Sequence, residues 1–179
     1  YIQGKTLERL IAEEPEQKEA LLERMADLQV EMISKTCPLL SRLREELESR
    51  IAQAELPATT RCDLFFRLQE IPAEYQICHG DFNPSNIVLT REDELYLLDW
   101  SHASQGNAAA DAANAWLWFQ LAGDAQGAGR YLECFSQKTG IDPAMIQKWI
   151  PIVAAARSAE SGERERTFLL KLVNGEDYE

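Results

Sequence analysis

The chain has 179 residues, 45% of them hydrophobic and 27% charged, with a formal net charge of −12 and a pI near 4.7. That length supports one domain with its own core, and the composition is that of a folded chain, not a disordered one. The acidic balance argues against a nucleic-acid partner, whose phosphates demand a basic footprint, and suits a cationic small substrate or plain solubility. No apolar run approaches the roughly 20 residues that cross a bilayer, so no membrane partner is expected.

The chain opens on Tyr1-Ile2-Gln3-Gly4, with neither an initiator Met nor a signal-peptide pattern. A processed chain or a piece of a longer one is expected. Cys37, Cys62, Cys78 and Cys134 are scattered and form no C-x-x-C pair. This argues against a zinc site or a disulfide framework and for reduced thiols in the cytoplasm.

Apolar residues Leu21, Met25, Leu28 and Met32, with Leu22 and Ile33 beside them, form one helical stripe over 16–35. Pro38 interrupts it. A second stripe runs through Leu40, Leu43, Leu47 and Ile51, and a third short helix is predicted over 60–69, capped by Thr59 or Thr60. The pattern then changes. Ile87–Leu89 and Leu95–Leu98 read as two strands around the polar turn 91–94, a small hairpin. Helices return over 108–121, over 127–138 with Gly140 as stop, and over 143–159 behind Asp142-Pro143. Pro151 is expected to bend or break the 143–159 helix, and a last helix covers 163–173. The predicted fold is predominantly α with a small β-hairpin.

The unusual polar residues gather around that hairpin. His79-Gly80-Asp81-Phe82-Asn83-Pro84-Ser85-Asn86 precedes it, and Leu98-Asp99-Trp100 closes it. If the strands pair, Asn86 and Asp99 meet at one end. A carboxylate and an amide carbonyl there make a hard oxygen site suited to Mg²⁺ and triphosphate oxygens. Asp81, on the preceding loop, can accept a hydrogen bond from a substrate hydroxyl and aim it at a γ-phosphate. Phosphoryl transfer asks for this positioning and charge neutralisation and little covalent chemistry.

His79-Gly80-Asp81-x-x-x-x-Asn86 followed by Leu98-Asp99-Trp100 resembles the signature of the aminoglycoside phosphotransferase family, itself similar to the choline kinases and more distantly the protein kinases. The resemblance implies a kinase-like C-terminal lobe that moves the γ-phosphate of ATP or GTP to a hydroxyl of a small molecule. It implies Asp81 as the catalytic residue, Asn86 and Asp99 as Mg²⁺ ligands, and His79 and Asp111 as supports of the loop. Residues 1–7 resemble the linker between lobes, where a backbone N–H near Ile2 meets adenine. Residues 8–179 would form the catalytic lobe, and the nucleotide-gripping N-terminal lobe would precede Tyr1. Asn83 departs from the family, which often carries a basic residue or His there.

Other readings stand beside these. Asp81 and Asn86 are also common turn residues, and Asp111 is either a loop brace or a helix cap. His79, His102, Asp81 and Asp99 suggest a metal-dependent hydrolase. A non-catalytic binding or regulatory domain would keep the fold without turnover. Trp116, Trp118 and Trp149 read as core more than as substrate-stacking rings. Asp124, Glu133, Glu160, Glu163 and Glu165 are either solvated faces or the lining of an acceptor pocket.

Overall fold

The computed structural model describes residues 2–175; Tyr1, the first residue of the predicted linker, lies outside them. Strand β1 (Gly4–Thr6) leads into α1 (Leu7–Glu13), where the Thr6 hydroxyl accepts from the Arg9 N–H. Helix α2 (Lys18–Ile33) buries Leu21, Leu22, Met25, Met32 and Ile33, close to the predicted stripe. Gln29 is buried and Leu28 only half-buried, because the Gln29 amide oxygen takes the hydroxyl of Tyr131 inside the core.

Helix α3 (Leu43–Gln53) buries Leu43, Leu47 and Ile51. Leu40 falls in the turn before it, behind Pro38; α2 itself has already ended at Ile33. Helix α4 (Ala58–Glu70) begins earlier than expected. Pro57 stands at its N-cap, so neither Thr59 nor Thr60 caps it.

The predicted hairpin forms as β3 (Ile87–Thr90) and β4 (Leu95–Leu97), antiparallel with Val88 opposite Tyr96. The sheet is larger than predicted. Strand β1 adds to the other edge of β3, with Lys5 opposite Leu89. A second pair, β2 (Gln76–Cys78) and β5 (Ser104–Gly106), was too short and too polar to announce itself. A side chain at Gly106 would run into Leu43, so this pair lies tight against α3.

Helix α5 (Ala108–Leu121) follows, capped by Asn107, whose side chain accepts from the Ala109 N–H at 2.9 Å. Helix α6 (Ala125–Thr139) ends on Gly140 in the left-handed conformation, φ +74°. Helix α7 (Pro143–Ser158) is capped by Asp142, and α8 (Glu163–Asn174) ends at Gly175.

Helix α7 runs through Pro151 without a break, so of the two expected effects the break does not occur. The missing N–H and ring clash cost about 3 kcal/mol. Burial offsets this. Ile152, Val153 and Ala154–Ala156 are all buried where α7 packs on α5 and α8, and each fully buried Ile or Val contributes about 1.5–3 kcal/mol. The small side chains of Ala108, Ala109, Ala112 and Ala113 on α5 are likewise buried. No helix among the described residues is long and apolar enough to cross a membrane.

Candidate active site

The two small sheets collect the polar loops. Pairing of β2 with β5 and of β3 with β4 makes loops 79–86 and 98–103 neighbours. The Leu98 N–H donates to the Asn86 carbonyl oxygen at 2.8 Å, which brings Asn86 and Asp99 to one end of the hairpin, as the sequence predicts.

Asp111 is a brace. It is 1% exposed, and its carboxylate accepts from the His79 N–H at 2.9 Å and the Gly80 N–H at 2.8 Å. It lies in the first turn of α5 but is not its cap. Burial pushes its carboxyl above the ordinary aspartate value, against the pull of those two N–H groups. Gly80 sits at φ +82°, and a Cβ there would stand 2.5 Å from the His102 carbonyl oxygen, so only glycine fits the turn.

His79 is buried with both ring nitrogens engaged. Nε2 donates to the Leu98 carbonyl oxygen at 2.9 Å, and Nδ1 accepts from the Asp81 N–H at 3.3 Å. That fixes the tautomer and leaves no free nitrogen to ligate a metal. The hydrolase set does not assemble: among the described residues no three His, Cys, Asp or Glu side chains group as metal ligands. Trp100 lies edge-on to His79 at 4.9 Å, with its indole N–H on the Leu97 carbonyl oxygen.

Asp81 is held from two sides. The Asn83 amide donates to its Oδ1 at 2.9 Å and the Asn86 amide to its Oδ2 at 2.8 Å. Both amides also reach the Asp81 carbonyl oxygen, at 3.0 and 2.9 Å. Asp81 offers only acceptors, so the nitrogen of Asn86 must face it, and the amide oxygen is turned away. Each carboxylate oxygen of Asp81 keeps a lone pair for another donor. Asn83, the departure from the family pattern, is an organiser here: its Oδ1 accepts from the Ser85 N–H and hydroxyl, starting the 3₁₀ turn Pro84–Asn86.

Asp99 is exposed and stands at φ +58°, a conformation Asp tolerates better than most residues. Its Oδ1 accepts from the Ser101 hydroxyl at 2.6 Å and N–H at 3.4 Å, leaving Oδ2 uncommitted. The Ser101 hydroxyl first, then its N–H, holds the carboxyl below the ordinary aspartate value, so it stays ionised at neutral pH. Ile2 is 37% exposed just before β1, on the edge of the three-stranded sheet.

A cleft of about 240 Å³ opens beside Asp81, lined by Arg50, Asn114, Arg157, Glu160 and Glu165 among others. Arg157 donates through Nε to Glu165 at 2.7 Å, and its Nη1 stands 3.9 Å from Asp81 Oδ1. Sequence reading did not single out Arg157, nor the hold of Ser101 on Asp99. Only long-range packing of α7 and α8 on the loop brings Arg157 there. Of the acidic candidates, Glu160 and Glu165 line the cleft. Asp124 instead caps α6 and pairs with Lys18 at 2.7 Å, and Glu133 pairs with Arg130 at 2.7 Å on the same helix. Trp149 is 3% exposed, and Trp116 and Trp118 are half-buried against the core; none lines this cleft.

With that geometry in view, a sequence profile of the phosphotransferase enzyme family (APH) matches residues 1–144. The chain belongs to this family. No curated protein sequence matches it. Among solved structures, choline kinase LicA from Streptococcus pneumoniae superimposes with TM-score 0.72 at 19% identity, over 98% of this chain and 69% of that one. A choline/ethanolamine kinase family protein from Mesorhizobium loti gives 0.58 at 13%, over 99% and 61%. Amicoumacin kinase hAmiN, in complex with AMP-PNP, Ca²⁺ and Ami, gives 0.60 at 12%, over 88% and 57%. These likenesses establish the fold: the phosphotransferase chain is predominantly helical with small antiparallel sheets and has the kinase-like fold of those structures.

Proposed function

We propose that this chain is the catalytic lobe of a kinase that moves the γ-phosphoryl group of ATP or GTP to a hydroxyl of a small molecule. The observation that carries the reading is the constraint on Asp81. Two amides fix its carboxylate at the mouth of the cleft, and each oxygen keeps a free lone pair. A substrate hydroxyl donating to Asp81 is aimed and made more nucleophilic. The bond from the γ-phosphorus to the bridging oxygen breaks and a bond to the acceptor oxygen forms. The hydroxyl proton passes to Asp81, and the nucleoside diphosphate leaves.

The donor set fits Mg²⁺. The Asn86 amide oxygen and the Asp99 carboxylate are hard oxygens at one hairpin end, and Ser101 keeps Asp99 anionic. Mg²⁺ bound there would neutralise phosphate charge during transfer. Asn86 then has two tasks through its two ends: the nitrogen orients Asp81 and the oxygen faces the metal. His79 and Asp111 hold the loop that carries both. The backbone at Ile2 meets the adenine ring. An N-terminal lobe supplies the remaining phosphate contacts, which the 69% coverage of LicA supports, and the chain alone transfers phosphoryl weakly or not at all.

The test is calorimetric titration of a non-hydrolysable ATP analogue into the two-lobed protein with and without Mg²⁺, wild type against Asp99→Ala. Metal-dependent binding that disappears in the variant is the expected result. Equal metal dependence in both proteins overturns the assignment of Asp99.

A further inference from the structure

The cleft beside Asp81 differs chemically from what a quaternary ammonium requires. Such a cation has no N–H to donate and is recognised by aromatic faces. Among the described residues lining the cleft there is no Trp, Tyr or Phe. Charges of both signs line it instead: Arg50 and Arg157 against Asp81, Glu160 and Glu165.

The donors are in surplus. Arg157 spends Nε on Glu165 at 2.7 Å, which fixes the guanidinium plane, and its Nη1 is beyond hydrogen-bond reach of Asp81 at 3.9 Å. Arg50 reaches Glu160 only through one long bond of 3.4 Å from Nη2. Two guanidinium groups with unspent N–H groups call for an anion of planar, carboxylate-like geometry. Glu160, with its side chain 61% exposed and only that long bond to Arg50, keeps acceptor capacity for an ammonium group. A hydroxyl must also reach Asp81 if the kinase reading above is right, and this inference rests on that reading.

We infer that the acceptor is a zwitterionic hydroxy compound of the hydroxy-amino-acid class. Its carboxylate lies on Arg157 and Arg50, its ammonium on Glu160, and its hydroxyl on Asp81. Choline, which has no N–H to give Glu160 and no carboxylate to give the arginines, is a poor fit to this cleft.

Four probes that differ by single groups test it: L-serine, ethanolamine (no carboxylate), 3-hydroxypropanoate (no ammonium) and choline. Binding to the intact protein is measured by calorimetry without nucleotide. L-serine is expected to bind at least about tenfold more tightly than each of the others, since a hydrogen bond to a charged group is worth that much. Arg157→Lys, which keeps the charge and loses the fork, weakens L-serine and 3-hydroxypropanoate and spares ethanolamine. Glu160→Gln weakens L-serine and ethanolamine and spares 3-hydroxypropanoate. Choline or ethanolamine binding as tightly as L-serine overturns the inference, as does failure of all four to bind or an equal effect of the variants on every probe. Phosphoryl transfer to choline that needs Asp81 would reject this chemistry and keep the kinase. L-serine binding with transfer indifferent to Asp81 would reject the kinase.

Discussion

Replacing Asp111 by Ala removes the one side chain that receives both the His79 and Gly80 N–H groups. Each buried N–H left without a partner costs about 1–3 kcal/mol. Two of them cost about 2–6 kcal/mol, and the desolvation penalty of the lost carboxylate is recovered in part. The lowest quarter of that range is therefore expected, about 2–3 kcal/mol. For a chain of this length each kcal/mol lowers Tm by about 2–4 °C, so the fall is about 4–12 °C by circular dichroism. The pH dependence supplies an independent check. Burial raises the Asp111 carboxyl, so the folded state holds that proton more tightly than the unfolded state. Its contribution to stability is then highest at or below the ordinary aspartate value. It falls as pH rises through the raised value, and the cost is complete above that value. Asp111→Asn cannot titrate, so the stability of wild type relative to this variant must fall as pH climbs through that window. A Tm for Asp111→Ala within about 1 °C of wild type, or a difference from Asp111→Asn that ignores pH, would refute the reasoning.

Three further outcomes are expected. Ser101→Ala should raise the Asp99 pKa toward its ordinary value, followed by NMR titration of the carboxyl carbon; an unchanged pKa would mean that Ser101 is not what holds it down. Gly80→Ala meets both a positive φ and the His102 carbonyl oxygen, and should cost about 1–3 kcal/mol or more in denaturant unfolding; a neutral effect contradicts the tight turn. Tyr131→Phe leaves the buried Gln29 amide oxygen without its donor, for a loss of about 1–3 kcal/mol, and wild-type stability would show that the bond contributes nothing net.

Much of this was legible in the residues. Leu21, Met25 and Met32 announced α2, Asp142 and Gly140 stand where caps belong, and Asp81, Asn86 and Asp99 marked the loops that the hairpin joins. What escaped needs partners distant in the chain. Strand β1 is Gly-Lys-Thr, and β2 with β5 is three residues against three, so neither pair shows an apolar alternation. Gln29 is buried because Tyr131 completes it, and α7 survives Pro151 because α5 and α8 cover it. Arg157 lies 76 positions from Asp81, and nothing local in the sequence ties the two. Asn83 read as a departure from a pattern, and only its hydrogen bonds to Asp81 and Ser85 reveal its work in the loop.

The most direct test of the kinase reading is Asp81→Ala in the two-lobed protein, with phosphoryl transfer and Mg²⁺–nucleotide affinity measured together. The Asp81 carbonyl oxygen still receives the Asn83 and Asn86 amides in this variant, so the loop keeps its frame. A fall in kcat of about 10²–10⁴-fold with nucleotide affinity unchanged is the predicted result. A kcat like that of wild type would contradict the role of Asp81 and the reading built on it.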